Sequence, residues 1–156
     1  MKSAVVVLSF VGALALAGRG DAAATTLATS VTVPISGIVN GQPESVSLSG
    51  SLLIVSTFVT DSTLTTPKER LVIKAVNVSG VGLTSGAKYV ATGEDRLLRP
   101  LAVSDHIDIM FPFYPATPGG SRSARSAMAS ITLQFDLLSG ALTRATATFS
   151  SPKLPS

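Results

Sequence analysis

The chain reads as an all-β protein, an antiparallel β-sandwich or a small barrel-like curved sheet of about seven to eight strands. Three observations say so. From Thr25 onward the text is rich in Val, Ile, Thr and Ser, and the β-branched members of that set suit a pleated surface better than a helix. Apolar and polar residues alternate with a period of two through most segments, without sustained helical periodicity. Gly and Pro cut the sequence at intervals that fit strands joined by turns.

The elements follow in order. The first strand covers Ser30 to Val39, with Val31, Val33 and Ile35 on one face and Thr32, Pro34 and Ser36 on the other. Pro34 cannot donate to a ladder, which favours an edge or a bulge there. Asn40 to Glu44 forms a hairpin loop. The return strand runs from Ser45 to Val59, about 50 Å at roughly 3.3 Å per residue. So long a strand needs a bend at Gly50 or a bulge to wrap a curved core. Asp61 to Lys68 is a connection. Glu69 to Ser79 is the third strand, apolar on both faces, and Ala87 to Thr92 the fourth. Gly93 to Arg96 reads as a turn. A fifth strand spans Leu101 to Tyr114, with Ile107, Ile109, Phe111 and Phe113 on one face. Ser121 to Ile131 is either one or two helical turns or the run-in to a strand. Ala129 to Leu137 and Ala141 to Phe149 form the final hairpin around Ser139-Gly140, with Leu142 on the wrong face for a regular register.

Residues 1–24 stand apart from this pattern. Lys2 opens them, Ala4 to Ala17 is an apolar run broken only by Ser9 and Gly12, and Ala22 and Ala24 form an A-x-A site. That is the pattern of a secretory signal peptide, to be removed on export to the periplasm or the extracellular space. The run is shorter than the about 20 residues of a typical spanning helix, and no transmembrane segment is expected in the mature chain. Residues 25–152 are expected to form a single β domain, with 153–156 as a loose tail. About 130 residues suffice for one domain with a core of its own.

Composition excludes several function classes. The chain has no cysteine, which removes disulfides, thiol chemistry and cysteine-ligated metals. Twelve basic and nine acidic residues give a formal charge of +3, and the basic residues are scattered along the chain. Nucleic-acid binding wants a basic cluster with aromatic platforms, so no nucleic-acid partner is expected. The glycine-rich stretch Ser79 to Gly86 departs from the phosphate-loop spacing and lies between strands.

Two segments are candidate sites. His106 is the single histidine, flanked by Asp105 and Asp108. On a strand His106 and Asp108 share a face, and a carboxylate beside an imidazole can orient it as a general base. A metal site would need three or four protein ligands, so no metal and no cofactor is expected. The other segment is Phe111-Pro112-Phe113-Tyr114-Pro115, the densest aromatic cluster in a chain without Trp. With Tyr89 it forms a candidate rim for a ligand, or else Phe111 and Phe113 belong to the core. The reading that follows is a secreted, non-catalytic β domain that acts by binding a small apolar molecule inside a barrel. The alternatives are a filled-core module that engages another surface protein, and a small exported enzyme built on Asp105, His106 and Asp108.

Overall fold

The computed structural model describes residues 27–60 and 66–153. The expected signal peptide lies outside them, as do residues 154–156 of the expected tail. Eight strands are present among the described residues: β1 (Leu27–Val39), β2 (Val46–Val59), β3 (Lys68–Gly82), β4 (Lys88–Ala91), β5 (Glu94–Pro100), β6 (Ser104–Pro115), β7 (Arg125–Phe135) and β8 (Leu142–Ser150). They form one sheet in the order β2-β1-β8-β7-β6-β4-β3-β5, and a further β2–β3 pairing closes it into a seven-strand barrel.

Seven is an odd number, and that has a topological consequence. A ring whose neighbours all run antiparallel needs an even strand count, so one junction must be parallel. It is β1–β8, where a single pair, Gly37 and Phe149, stands in register. A Cβ on Gly37 would sit 2.0 Å from the Phe149 carbonyl oxygen, so only glycine permits the approach. Side chains extend the junction at both ends. The Leu142 amide donates to Thr29 Oγ1 (3.2 Å), and the Asn40 amide donates to Ser151 Oγ (2.8 Å).

The long second strand bends as its length requires. Opposite Gly50, β3 carries an extra residue where the register slips between Ser49 and Ser51, and Asn77 there adopts φ 50°. This bulge lets β2 and β3 coil around the core. On the far side of β3, β4 and β5 follow one another in the same direction, β4 against Val78–Val81 and β5 against Lys68–Lys74. The expected turn at Gly93 to Arg96 is therefore a break between two collinear strands, and Glu94 to Arg96 belong to β5. Gly93 has φ 151°, and a Cβ there would lie 2.7 Å from the Phe111 ring. Glycine is required at this point because the ring leaves no room for a side chain.

That break opens a seam. β4 pairs with β6 on its free side, whereas β5 makes no ladder with β6 among the described residues. Their Cα atoms stand more than 8 Å apart over nearly their whole length. Arg99 and Asp105 bridge the seam near the Leu101–Val103 connection with two hydrogen bonds of 2.8 and 2.7 Å.

The other deviations are local. Gly120–Ser123 forms a short 3-10 turn, and Ser126 to Ile131 belongs to β7. Thr143 is an extra residue in β8, since Gln134 faces Arg144 while Phe135 faces Leu142. This bulge turns Leu142 inward with Ala145 and resolves the awkward register of the final hairpin. Inside the ring, Phe111, Phe113, Leu52, Ile54, Ile73 and Ile131 are each less than 2% exposed.

Replacing Gly37 with Ala forces the parallel junction apart. Urea unfolding should show a loss on the order of 3 kcal/mol or more, and an unchanged midpoint would mean that closure does not depend on this contact.

Candidate functional site

Alternation along β6 sorts the candidate catalytic residues onto two faces. His106 and Asp108 point outward and Asp105 points inward. His106 Nε2 lies 3.3 Å from Asp108 Oδ1, and His106 Nδ1 lies 3.4 Å from Thr132 Oγ1 across the β6–β7 ladder. Ser130 donates to Asp108 Oδ1 at 2.6 Å, and this bond, ahead of the His106 charge, holds the Asp108 carboxyl below the usual aspartate value. The arrangement is a row of polar side chains on an open strand wall. The His106 side chain is 61% exposed, so water competes for each of its contacts. The serine hydroxyl is committed to the carboxylate, and the imidazole meets a threonine at a long distance for a hydrogen bond.

Asp105 works elsewhere. It accepts both Arg99 bonds at the seam, and that pairing lowers its carboxyl while raising the guanidinium further. The structure thus brings His106 and Asp108 together and puts Asp105 with Arg99 on the inner side of the wall.

The aromatic candidates divide in the same way. Phe111 and Phe113 are core residues, and Tyr89 is buried beside Phe113 with ring centroids 6.0 Å apart. Tyr114, on the opposite face of β6, is half-buried. The lower end of the barrel is closed over these rings by a polar brace. Glu44 in the β1–β2 loop accepts the Thr84 and Ser85 amides at 2.9 Å each, the Ser85 hydroxyl at 2.5 Å and the Tyr89 hydroxyl at 3.3 Å. Those donors, the Ser85 hydroxyl foremost, lower its carboxyl to about 2. Arg125 donates to the Glu44 carbonyl oxygen at 2.8 Å and lies 4.9 Å from the Phe113 ring centroid, a cation–π distance.

At the other end a second glutamate behaves oppositely. Glu69 points inward from β3 between Phe58 and Arg99 in the register, and it is 1% exposed. Ser56 Oγ donates to its Oε2, while Oε1 has no partner among the described residues. Burial pushes its carboxyl above the usual 4.5, and the serine bond offsets only part of that.

One further feature lies on the outer wall of β7 and β8. Thr132, Gln134, Arg144 and Thr146 line a shallow depression of about 170 Å³. Sequence reasoning missed it, along with Glu44 and Glu69. The inward alternation Glu69, Leu71, Ile73 was a legible sign for one of them, whereas the depression depends on cross-strand register. Among the described residues no group of three His, Asp or Glu side chains converges as a metal site, and no helix is long and apolar enough to cross a membrane. No family model, curated protein or solved structure matches the chain.

The two glutamates predict opposite pH limbs. For Glu69 the native carboxyl titrates above its unfolded value, so its contribution is complete below about 4.5 and is lost as the pH rises through the native value. Glu69→Gln should therefore melt higher than wild type at pH 7 to 8, with the gap closing below pH 4.5. Equal melting temperatures at pH 8 would contradict the buried acid. For Glu44 the shift is downward, so wild type should lose stability between pH 4.5 and 2 in a way that Glu44→Gln does not.

Proposed function

We propose that the protein is an exported, non-catalytic β-barrel module that acts by binding, with a filled interior and a contact surface on its outside for another protein. The observation that carries this reading is the burial of the side chains that point into the ring. The inward positions hold large aliphatic and aromatic side chains that are almost fully buried against one another. A carrier needs vacant volume, typically about 300 Å³ or more, and a seven-strand ring with bulky inward residues leaves little.

The end of the barrel near the β5–β6 connection supplies a candidate contact surface. Leu138 is 98% exposed, Leu137 49% and Val103 61%. The β7–β8 turn that carries the leucines is braced, since the Leu138 amide donates to Asp136 Oδ1 (2.9 Å) and the Gly140 amide to the Asp136 carbonyl oxygen (2.7 Å). Val103 is held alongside by the Phe135 amide, which donates to its carbonyl oxygen at 3.0 Å. Aliphatic side chains fixed in water on a braced turn favour a partner.

The competing reading, a carrier for a small apolar molecule, draws on the seam between β5 and β6, a stretch of wall without a ladder. Native mass spectrometry of the protein purified from its own host without detergent separates the two. The mass of the bare chain is expected. A non-covalent adduct that is lost on denaturation would overturn the filled-core reading in favour of the carrier.

A further inference from the structure

We propose that the depression on the β7–β8 wall is a binding site for a small oxyanion (a carboxylate, sulfate or phosphate group), with Arg144 as its cationic anchor. The inference stands apart from the protein-binding reading, because it concerns polar groups on the side wall and neither of the leucines on the turn.

The β8 bulge borders the site. Arg144 and Thr146 face outward in step with the inward Ala145 and Phe149, and the bulge adds Thr143 to the same exposed face. Bulges often re-aim a side chain in this way. Thr143 Oγ1 donates to the Gln134 carbonyl oxygen at 2.9 Å, which fixes the bulge against β7. Arg144 then stands directly across the ladder from Gln134, and Thr132 across from Thr146. The four side chains that line the depression present a guanidinium, an amide and two hydroxyls, all able to donate hydrogen bonds.

The charges nearby favour an anion. Arg144 forms no ion pair among the described residues. The carboxylates of the neighbouring elements are engaged elsewhere: Asp108 with Ser130 and His106, and Asp136 with the backbone of its own turn. His106 borders the site through Thr132. A planar guanidinium with flanking donors is the arrangement that recognises carboxylate, sulfate or phosphate by paired hydrogen bonds. The volume admits one such group. No Phe, Tyr or Trp lines the depression, so a neutral sugar held by stacking fits it less well.

The test is an amide-resolved NMR titration of the purified protein with sodium sulfate, phosphate, acetate and methyl β-D-glucuronide, each at ionic strength held constant with sodium chloride. Saturable shifts at Thr132, Gln134, Arg144 and Thr146 are expected, with dissociation constants on the order of 1–10 mM. Arg144→Gln should weaken binding at least about tenfold while the spectrum elsewhere stays folded, and Thr146→Val should weaken it less. Tighter binding of the glucuronide than of acetate means that the anion is carried on a sugar. Equal affinities mean a free ion. Shifts that stay linear with concentration, or that survive Arg144→Gln unchanged, overturn the proposal.

Discussion

The barrel closes through a junction with a single ladder pair, the approach of Gly37 to Phe149. An odd ring cannot be antiparallel throughout, and the structure confines the unavoidable parallel junction to one residue pair. Parallel pairing is slightly weaker per residue than antiparallel, so a short junction limits its cost. Side-chain bonds from Thr29 and Ser151 extend it without demanding further ladder. Everything inside depends on this closure. The inward residues of β1, β7 and β8 bury against those of β2, β3 and β6 only when the ring is shut, and burial of that surface is the main favourable term in folding. A side chain at position 37 would put the first and last strands in conflict with the core they enclose.

The two ends of the ring meet different physical demands. At the end that carries Glu44, the β1–β2 loop, the β3–β4 loop and strand β4 are joined by one carboxylate that accepts four hydrogen bonds and stays ionised far into acid. Because it lies near solvent, its charge costs little to keep. Glu69 occupies the opposite situation. It sits beside Phe58 in the register with a single serine donor among the described residues, so the neutral acid is the form that burial favours. The nearby Arg99 guanidinium does not relieve it, because both of its hydrogen bonds go to Asp105 across the seam. The seam takes the Arg99 cation, and Glu69 is left with an oxygen that has no partner among the described residues. Closing the wall and satisfying the core compete here for one arginine.

Much of the fold is legible in alternation, and what is not has a common cause. The inward rows Val31-Val33-Ile35, Ile107-Ile109-Phe111-Phe113 and Leu133-Phe135 are visible in the sequence because one face is buried and the other wet. The need for curvature at Gly50 is visible too, from strand length alone. The second break, at Gly93, reads as an ordinary turn, since Glu94-Asp95-Arg96 carries no apolar alternation. Those residues are strand because β3 offers them a ladder, which is a tertiary cause. The β8 bulge is legible only as a misfit, Leu142 on the wrong face, and one inserted residue removes the misfit. Barrel and sandwich differ by the β2–β3 pairing and the β1–β8 junction, two long-range facts to which local pattern is blind. At the candidate site, the shared face of His106 and Asp108 follows from the period of two, whereas their neighbours Ser130 and Thr132 follow from register.

A closed barrel with mostly aliphatic and aromatic inward residues constrains where polar chemistry can happen. Apart from groups such as Ser56 and Glu69, its hydrogen-bonding side chains lie toward the ends and on the outer wall. On a regular strand the outer wall offers only every second residue, spaced about 7 Å apart along the strand, and adjacent side chains point away from each other. A bulge breaks that rule by presenting two consecutive residues on one face. In β8 the residue gained is Thr143, and Arg144 beside it stands where β7 contributes an amide and a hydroxyl rather than a carboxylate. An acid at position 134 or 132 would have neutralised it as an ordinary cross-strand pair. The charge is left available on a surface otherwise lined by hydroxyls and one amide, and that combination separates this wall from the neighbouring one, where His106, Asp108 and Ser130 contact one another.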